Sequence, residues 1–279
     1  MDDNAGKYVV HNGTLKEYTD KLGFELAQIN SRAAYEVIRI IDGVPLFFKD
    51  HYDRLTGTFN AVGRRLEMSF AQMGENIHML LEKSEIENCN VKIAVFYETE
   101  DQQQLAYISK SYYPTVEETD AGVKTGLLRI ERDNPNAKII NVSYKEAVAK
   151  RIAEGGFFEV LLADSKGRLT EGSKSNLFFV RDGKVLTAPG EYVLRGITRK
   201  YVFEACRNAG LEVVEQFVAA DEIGQTDGAF LSGTSIKVLP IKTVDQLVLN
   251  SPANPVIAAV RREYDEILKK YIDKHVKIW

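Results

Sequence analysis

Apolar residues in this chain come in short runs, and even the longest, such as Phe157 to Ala163, are the length of a strand rather than of a membrane span. Between them stand tight Gly-containing turns and a few longer stretches with helical spacing, which is the pattern of a mixed α/β or α+β protein. At 279 residues the chain can bury the cores of two modest domains. Asp42-Gly43 divides the apolar stretches Ala34–Ile41 and Pro45–Phe48 and predicts a hairpin. Helices are predicted over 50–61, with Asp50 as the N-cap, and over 69–82, with Phe70, Met73 and Ile77 on one face. Paired strands are predicted over 91–97 and 104–109.

The second half repeats the alternation. Strands are predicted over 123–130, 157–163, 176–180, 184–186, 211–217, 228–232 and 237–244. Helices are predicted over 143–154, stopped by Gly155-Gly156, and over 198–209, stopped by Gly210. The chain closes on an amphipathic helix capped by Asn254 with Pro255 at its first position; Ile257, Val260, Tyr264, Ile267 and Tyr271 form its apolar stripe. A segment rich in acids and containing Pro114 suggests an interdomain linker at 113–122. It would separate a smaller domain over 1–112 from a larger one over 123–279.

Composition excludes several classes. A formal net charge of -4 argues against a broad nucleic-acid footprint. Cys89 and Cys206 have no paired spacing and the four His are scattered, so neither a disulfide framework nor a zinc site is expected. The acidic start lacks the apolar core of a signal peptide, and the expectation is a cytoplasmic protein without a membrane segment. The sequons at Asn12 and Asn141 are then accidental.

Lys138, in Asn136-Ala-Lys-Ile-Ile-Asn141, has apolar neighbours that can desolvate its amine and free it as a nucleophile, although a lone Lys is usually a solvated charge. Thr170-Glu171-Gly-Ser-Lys-Ser-Asn176 can be an exposed turn, or can offer Glu171 to a ring nitrogen with Ser173, Ser175 and Asn176 fixing the loop. Gly196-Ile-Thr-Arg199 opens a helix and can cradle phosphate on its free amides. Ser232-Gly-Thr-Ser235 offers hydroxyls, and Arg54 a cation, to the same anion.

The order of these segments is the stronger signal. Tyr35-Glu-Val-Ile-Arg39, Asp42-Gly, His51-Tyr-Asp-Arg54-Leu, Lys138-Ile-Ile-Asn141, Glu171-Gly-Ser-Lys-Ser-Asn176, Gly196-Ile-Thr-Arg199 and Ser232-Gly-Thr234 resemble the ordered motifs of the class IV (fold-type IV) pyridoxal-5′-phosphate (PLP) enzymes. That family includes D-amino-acid and branched-chain aminotransferases, amine transaminases and aminodeoxychorismate lyases. The resemblance implies a two-domain α/β (α+β) fold, PLP as cofactor, small amino acids and 2-oxo acids as substrates, and a homodimer. It implies Lys138 as the Schiff-base lysine and Glu171 as the partner of the pyridine nitrogen. Arg54, Gly196, the Ile197 and Thr198 amides, Gly233 and Thr234 would hold the phosphate, with Ser175 and Asn176 beside the cofactor and Leu194 on its ring face. The strand Val91-Lys-Ile-Ala-Val-Phe-Tyr97 lacks the Arg-Gly pair of D-amino-acid enzymes and the Arg-Pro stretch of branched-chain enzymes. Tyr35, Arg39, Lys92 and Tyr97 are therefore the candidate substrate contacts. Tyr35 and Tyr97 can equally be packing, and Lys92 a solvated edge charge. Val37 stands where the lyases usually carry a Thr, which favours transamination over elimination. Binding of PLP or phosphate without turnover is the reading from another class.

Overall fold

The computed structural model describes residues 4–27, 29, 32–99, 101–132 and 135–276. The chain divides into two compact units, the first comprising Met1–Tyr112, Ala137–Ile140 and Lys269–Trp279, the second Tyr113–Asn136 and Asn141–Leu268. The main segment of the first unit ends at Tyr112, at the expected boundary, and three other segments are assigned differently from the expectation. The 113–122 segment carries a helix, Val116–Ala121, closed at its start by a Thr115/Glu118 capping box, and counts with the second unit. Residues 137–140 and the last turns of the terminal helix count with the first. They do so because Ile140 N–H donates to the Ala33 carbonyl at 3.1 Å, and the Tyr271 ring packs 4.8 Å from Phe47.

In the first unit an antiparallel sheet runs in the order Thr14–Glu17, Asn4–His11, Gln103–Ser109, Cys89–Phe96, Ala33–Ile41, Val44–Pro45. Asp42 and Gly43 both take positive φ, 50° and 76°, as the two-residue turn between the last two of these strands requires. Strand geometry sends alternate side chains to opposite faces. Ala34, Ile38, Ile40, Val91, Ile93, Val95, Ala106 and Ile108 face a core completed by Leu55, Phe59, Met73 and Ile77 from the helices Phe48–Ala61 and Phe70–Ser84. The other face carries Ala94, Leu105 and Tyr107 against Leu22 and Leu26 of the helix Asp20–Ala27. The helix expected from Asp50 starts two residues earlier, at Phe48; its cap is Phe47 in the left-handed region, without a side-chain bond. The strand expected over 45–48 is correspondingly reduced to Val44–Pro45.

In the second unit Val123–Arg129 pairs in parallel with Glu159–Ala163, and the helix Val142–Gly155 covers them through Val148, Ile152 and Tyr144. Asn141 caps that helix by accepting the Tyr144 N–H at 3.1 Å. Arg168–Gly172, Asn176–Arg181, Lys184–Thr187, Gly228–Gly233 and Lys237–Val244 continue the sheet; the strand expected over 211–217 is shortened to Val213–Glu215, and a separate short strand, Val218–Ala219, follows it. Asn254 caps the terminal helix Pro255–His275, and Ile257, Val260, Tyr264 and Ile267 are buried as their spacing predicts. No helix among the described residues is long and apolar enough to cross a membrane.

Candidate active site

Two clusters hold the residues singled out by the sequence, one in each unit. In the second unit, Glu171 lies near the end of Arg168–Gly172 and is 4% exposed. A carboxylate so deep requires partners. Its Oε1 accepts from the Arg132 guanidinium at 2.7 Å and its Oε2 from the Leu194 backbone N–H at 3.0 Å. Asn176 donates from Nδ2 to the Leu194 carbonyl at 2.8 Å, so both polar groups of Leu194 are tied to the loop that carries Glu171. Gly196 follows, and its lack of a side chain is a packing requirement: a Cβ there would lie 2.2 Å from Asn176 Oδ1.

Gly196 caps the helix Ile197–Asn208 without a side-chain bond. The Ile197 and Thr198 amides in its first turn have no intrahelical acceptor and carry the positive end of the helix dipole. Ser232 pairs across the sheet with Asn176, is 1% exposed, and its buried Oγ finds no partner among the described residues. Gly233 and Thr234 come next, and a Cβ on Gly233 would stand 3.6 Å from Ser175 Cβ. A buried carboxylate, an uncapped helix start and an unpartnered buried hydroxyl thus lie on neighbouring strands and turns. This donor and acceptor set fits PLP, which carries a phosphate anion and a protonated ring nitrogen. Ser175 gives its hydroxyl to Glu159 at 2.9 Å and Asn176 gives one amide N–H to the Leu194 carbonyl at 2.8 Å, so both shape the loop that carries Glu171.

In the first unit, Ala137–Ile140 lies along the free end of the strand Ala33–Ile41, with Tyr35 N–H donating to the Lys138 carbonyl at 3.0 Å. The Lys138 ammonium stands 4.9 Å from the Tyr35 ring centroid. Lys92 is buried at 6% exposure and lies 5.1 Å from that ring and 5.6 Å from the ring of Tyr107. Lys92 is therefore an interior cation, not a solvated edge charge. Tyr35, Arg39 and Lys92 share one face of the sheet, because Lys92 sits opposite Val37 in the register. Tyr97 does not join them. It follows the parity of Val91, Ile93 and Val95 into the opposite core, where its ring lies 5.7 Å from Phe59, so its expected substrate contact is replaced by packing.

Arg54 projects from its helix onto a carboxylate the sequence reading assigned no role. Glu36, wholly buried, accepts Arg54 Nε at 2.8 Å, Arg54 Nη2 at 2.5 Å and His51 Nδ1 at 2.7 Å. Burial alone would raise its pKa, but the Arg54 guanidinium and the His51 bond hold it down to about 2. Burial lowers the His51 pKa, with the Arg54 and Lys138 charges adding to the fall and Glu36 opposing it. The ionised Glu36 carboxylate can only accept, so His51 Nδ1–H is the donor of their bond. The spacing of His51 and Arg54 on one helical face, below a buried strand Glu, was the available signal. Arg132 and Glu159 had none, since their partners are distant in sequence.

A model of the amino-transferase class IV family matches residues 33–244, most of the chain. The chain belongs to that family. The class IV aminotransferase assignment agrees with its similarity to the probable branched-chain-amino-acid aminotransferase of Aquifex aeolicus, 28% identical over 253 residues that cover 83% of this chain and 80% of the relative. The chain is also 27% identical over 258 residues to the D-alanine aminotransferase of Staphylococcus aureus, covering 86% of this chain and 88% of that one. The fold matches the crystal structure of the Escherichia coli branched-chain amino acid aminotransferase with a TM-score of 0.82 at 20% identity, covering 94% of each chain. As a class IV aminotransferase the chain is a PLP-dependent transaminase with the two-domain fold-type IV architecture.

Proposed function

We propose that this transaminase moves the amino group of a small α-amino acid, of branched-chain or D-amino-acid type, to a 2-oxo acid. The observation that carries the reading is the buried Glu171 carboxylate held between Arg132 and the Leu194 amide, two residues ahead of an uncapped helix start. When bound, PLP supplies an electron sink for negative charge developing at the substrate Cα. Glu171 keeps the ring nitrogen protonated. The Ile197 and Thr198 amides, with Gly196, Gly233, Thr234 and the Arg54 guanidinium, would hold the phosphate, and Leu194 would pack against the ring. Lys138 would anchor the cofactor through its amine, and that amine would serve as the base and acid that moves the α-proton. Lys92, with Tyr35 and Arg39, receives the substrate carboxylate, since an interior ammonium between aromatic rings attracts an anion strongly. Val37 on the same face offers no hydroxyl for assisting an elimination. The enzyme works as a cytoplasmic homodimer without nucleic acid.

The test is a panel of D- and L-amino acids with pyruvate and 2-oxoglutarate, run beside aminodeoxychorismate. Sustained transfer from a branched-chain or D-amino acid is expected. Release of 4-aminobenzoate with no transfer across the panel would overturn the reading. Light scattering on the purified protein checks the dimer.

A further inference from the structure

Glu159 opens the strand Glu159–Ala163 in the second unit, and its side chain is buried at 3% exposure. Its Oε1 accepts the Lys174 backbone N–H at 2.6 Å and the Ser175 hydroxyl at 2.9 Å. Gly172 lies against the same oxygen: a Cβ there would stand 2.5 Å from Glu159 Oε1 and 2.4 Å from Ser175 Oγ. The Gly172 N–H closes the turn onto the Ser175 carbonyl at 2.8 Å, and Ser173 N–H bonds the Val160 carbonyl at 2.9 Å. Residues 172–175 are thus wrapped around one carboxylate oxygen.

Glu171 precedes this turn and Asn176 follows it, and those two residues bond the amide and the carbonyl of Leu194, at 3.0 and 2.8 Å. A rotation of the turn moves both at once. Burial pushes the Glu159 carboxyl up, the Lys174 and Ser175 donors oppose the rise, and the nearby Glu171 charge adds to it. Such a buried acid is costly, and a simple turn does not require one.

We propose that Glu159 is a positioning residue that holds Glu171 in place for the cofactor nitrogen, acting through the 172–175 turn without touching cofactor or substrate. The proposal rests on the PLP reading above. It separates the two jobs of the Glu-Gly-Ser-Lys-Ser-Asn stretch: Glu171 meets the ring, while Gly172 and Ser175 exist to fit Glu159.

Three variants test it: Glu159→Ala, which removes the acceptor, Glu159→Gln, which keeps an acceptor oxygen of the same reach, and Glu171→Gln as the reference. Each is measured for thermal stability, for the pH dependence of the bound-cofactor absorbance, and for kcat and KM. A displacement of about an ångström at a catalytic group costs roughly 100-fold, so Glu159→Ala is expected to lose up to that factor in kcat with little change in KM. Its cofactor absorbance should shift with pH in the direction of Glu171→Gln, and Glu159→Gln should restore most of both properties. A folded Glu159→Ala with wild-type absorbance and kcat overturns the proposal, as does a variant that loses stability alone. Should Glu159→Ala not fold, Glu159→Asp, which withdraws the carboxylate by one methylene, is read by the same criteria. Wild-type protein without bound-cofactor absorbance would sink the PLP reading itself; a loaded wild type with unaffected variants sinks only the role of Glu159.

Discussion

The ammonium of Lys138 lies 4.9 Å from the centroid of the Tyr35 ring, and the same ring takes the ammonium of Lys92 at 5.1 Å. The Tyr35 backbone N–H also fixes the Lys138 carbonyl, so the register of one short bridge sets where the amine stands. Cation–π contacts of this kind contribute about 0.5–2 kcal/mol each and hold both charges on one side of the sheet.

Borohydride reduction of the loaded enzyme should place the cofactor label on Lys138, and Lys138→Ala should abolish the label. The loss of a positioned acid and base should lower turnover by about 10²–10⁴-fold. Peptide mapping decides the matter: a label on Lys92 would exchange the roles of the two lysines.

Arg54→Ala should act on two properties. Removing a charge-assisted contact of about 1.5–3 kcal/mol should weaken PLP binding by one to two orders of magnitude. It also strands the buried Glu36, and breaking a buried ion pair costs about 3–5 kcal/mol of stability. Denaturant titration in parallel with PLP titration separates the effects, and Arg54→Ala combined with Glu36→Gln should recover stability but not PLP affinity. Unchanged PLP affinity in the folded variant would end the phosphate role.

Acid should unfold the first unit through Glu36. Its folded pKa of about 2 lies below the ordinary 4.5, so its stabilisation is complete above about 4.5 and is lost as pH falls toward 2. A depression of that size corresponds to about 3 kcal/mol in order of magnitude. His51, also lowered, works in the same direction from its ordinary 6.5 downward, because the unfolded chain takes up the proton first. Stability measured against pH should fall more gently in Glu36→Gln than in wild type; identical slopes would contradict the account.

Glu171→Gln should keep PLP bound and slow turnover by about 10²–10³-fold, the usual cost of removing one preorganised electrostatic partner. The amide cannot hold the ring proton, and Arg132 loses the anion it faces at 2.7 Å. Equal activity in the variant would remove Glu171 from the mechanism.

Tyr97 and Lys92 should part company under substitution. Lys92→Ala should raise KM for amino acids, whereas Tyr97→Phe should leave KM unchanged and Tyr97→Ala should cost about 3–5 kcal/mol of stability, as for a core aromatic. A KM effect from Tyr97→Phe would restore it to the substrate site.

Local features were legible in the sequence because their physics is local. Asp42-Gly43 demanded its turn, Asn141 and Asn254 capped their helices, and the spacing from Ile257 to Ile267 gave the buried stripe. The ordered motifs, read by resemblance, led to the family that the 33–244 match shows. Tertiary structure decided the rest. The strand Cys89–Phe96 is buried on both faces, Asn90 and Lys92 included, so only the fold shows that Lys92 is an interior cation and that Tyr97 packs with Val91, Ile93 and Val95. Phe47 entered the left-handed region because the tertiary core, not local preference, set the helix start. The buried carboxylates Glu36, Glu159 and Glu171 each bond donors 15 to 39 residues away, and no local pattern encodes such pairings, since only the folded sheet brings those charges out of water together.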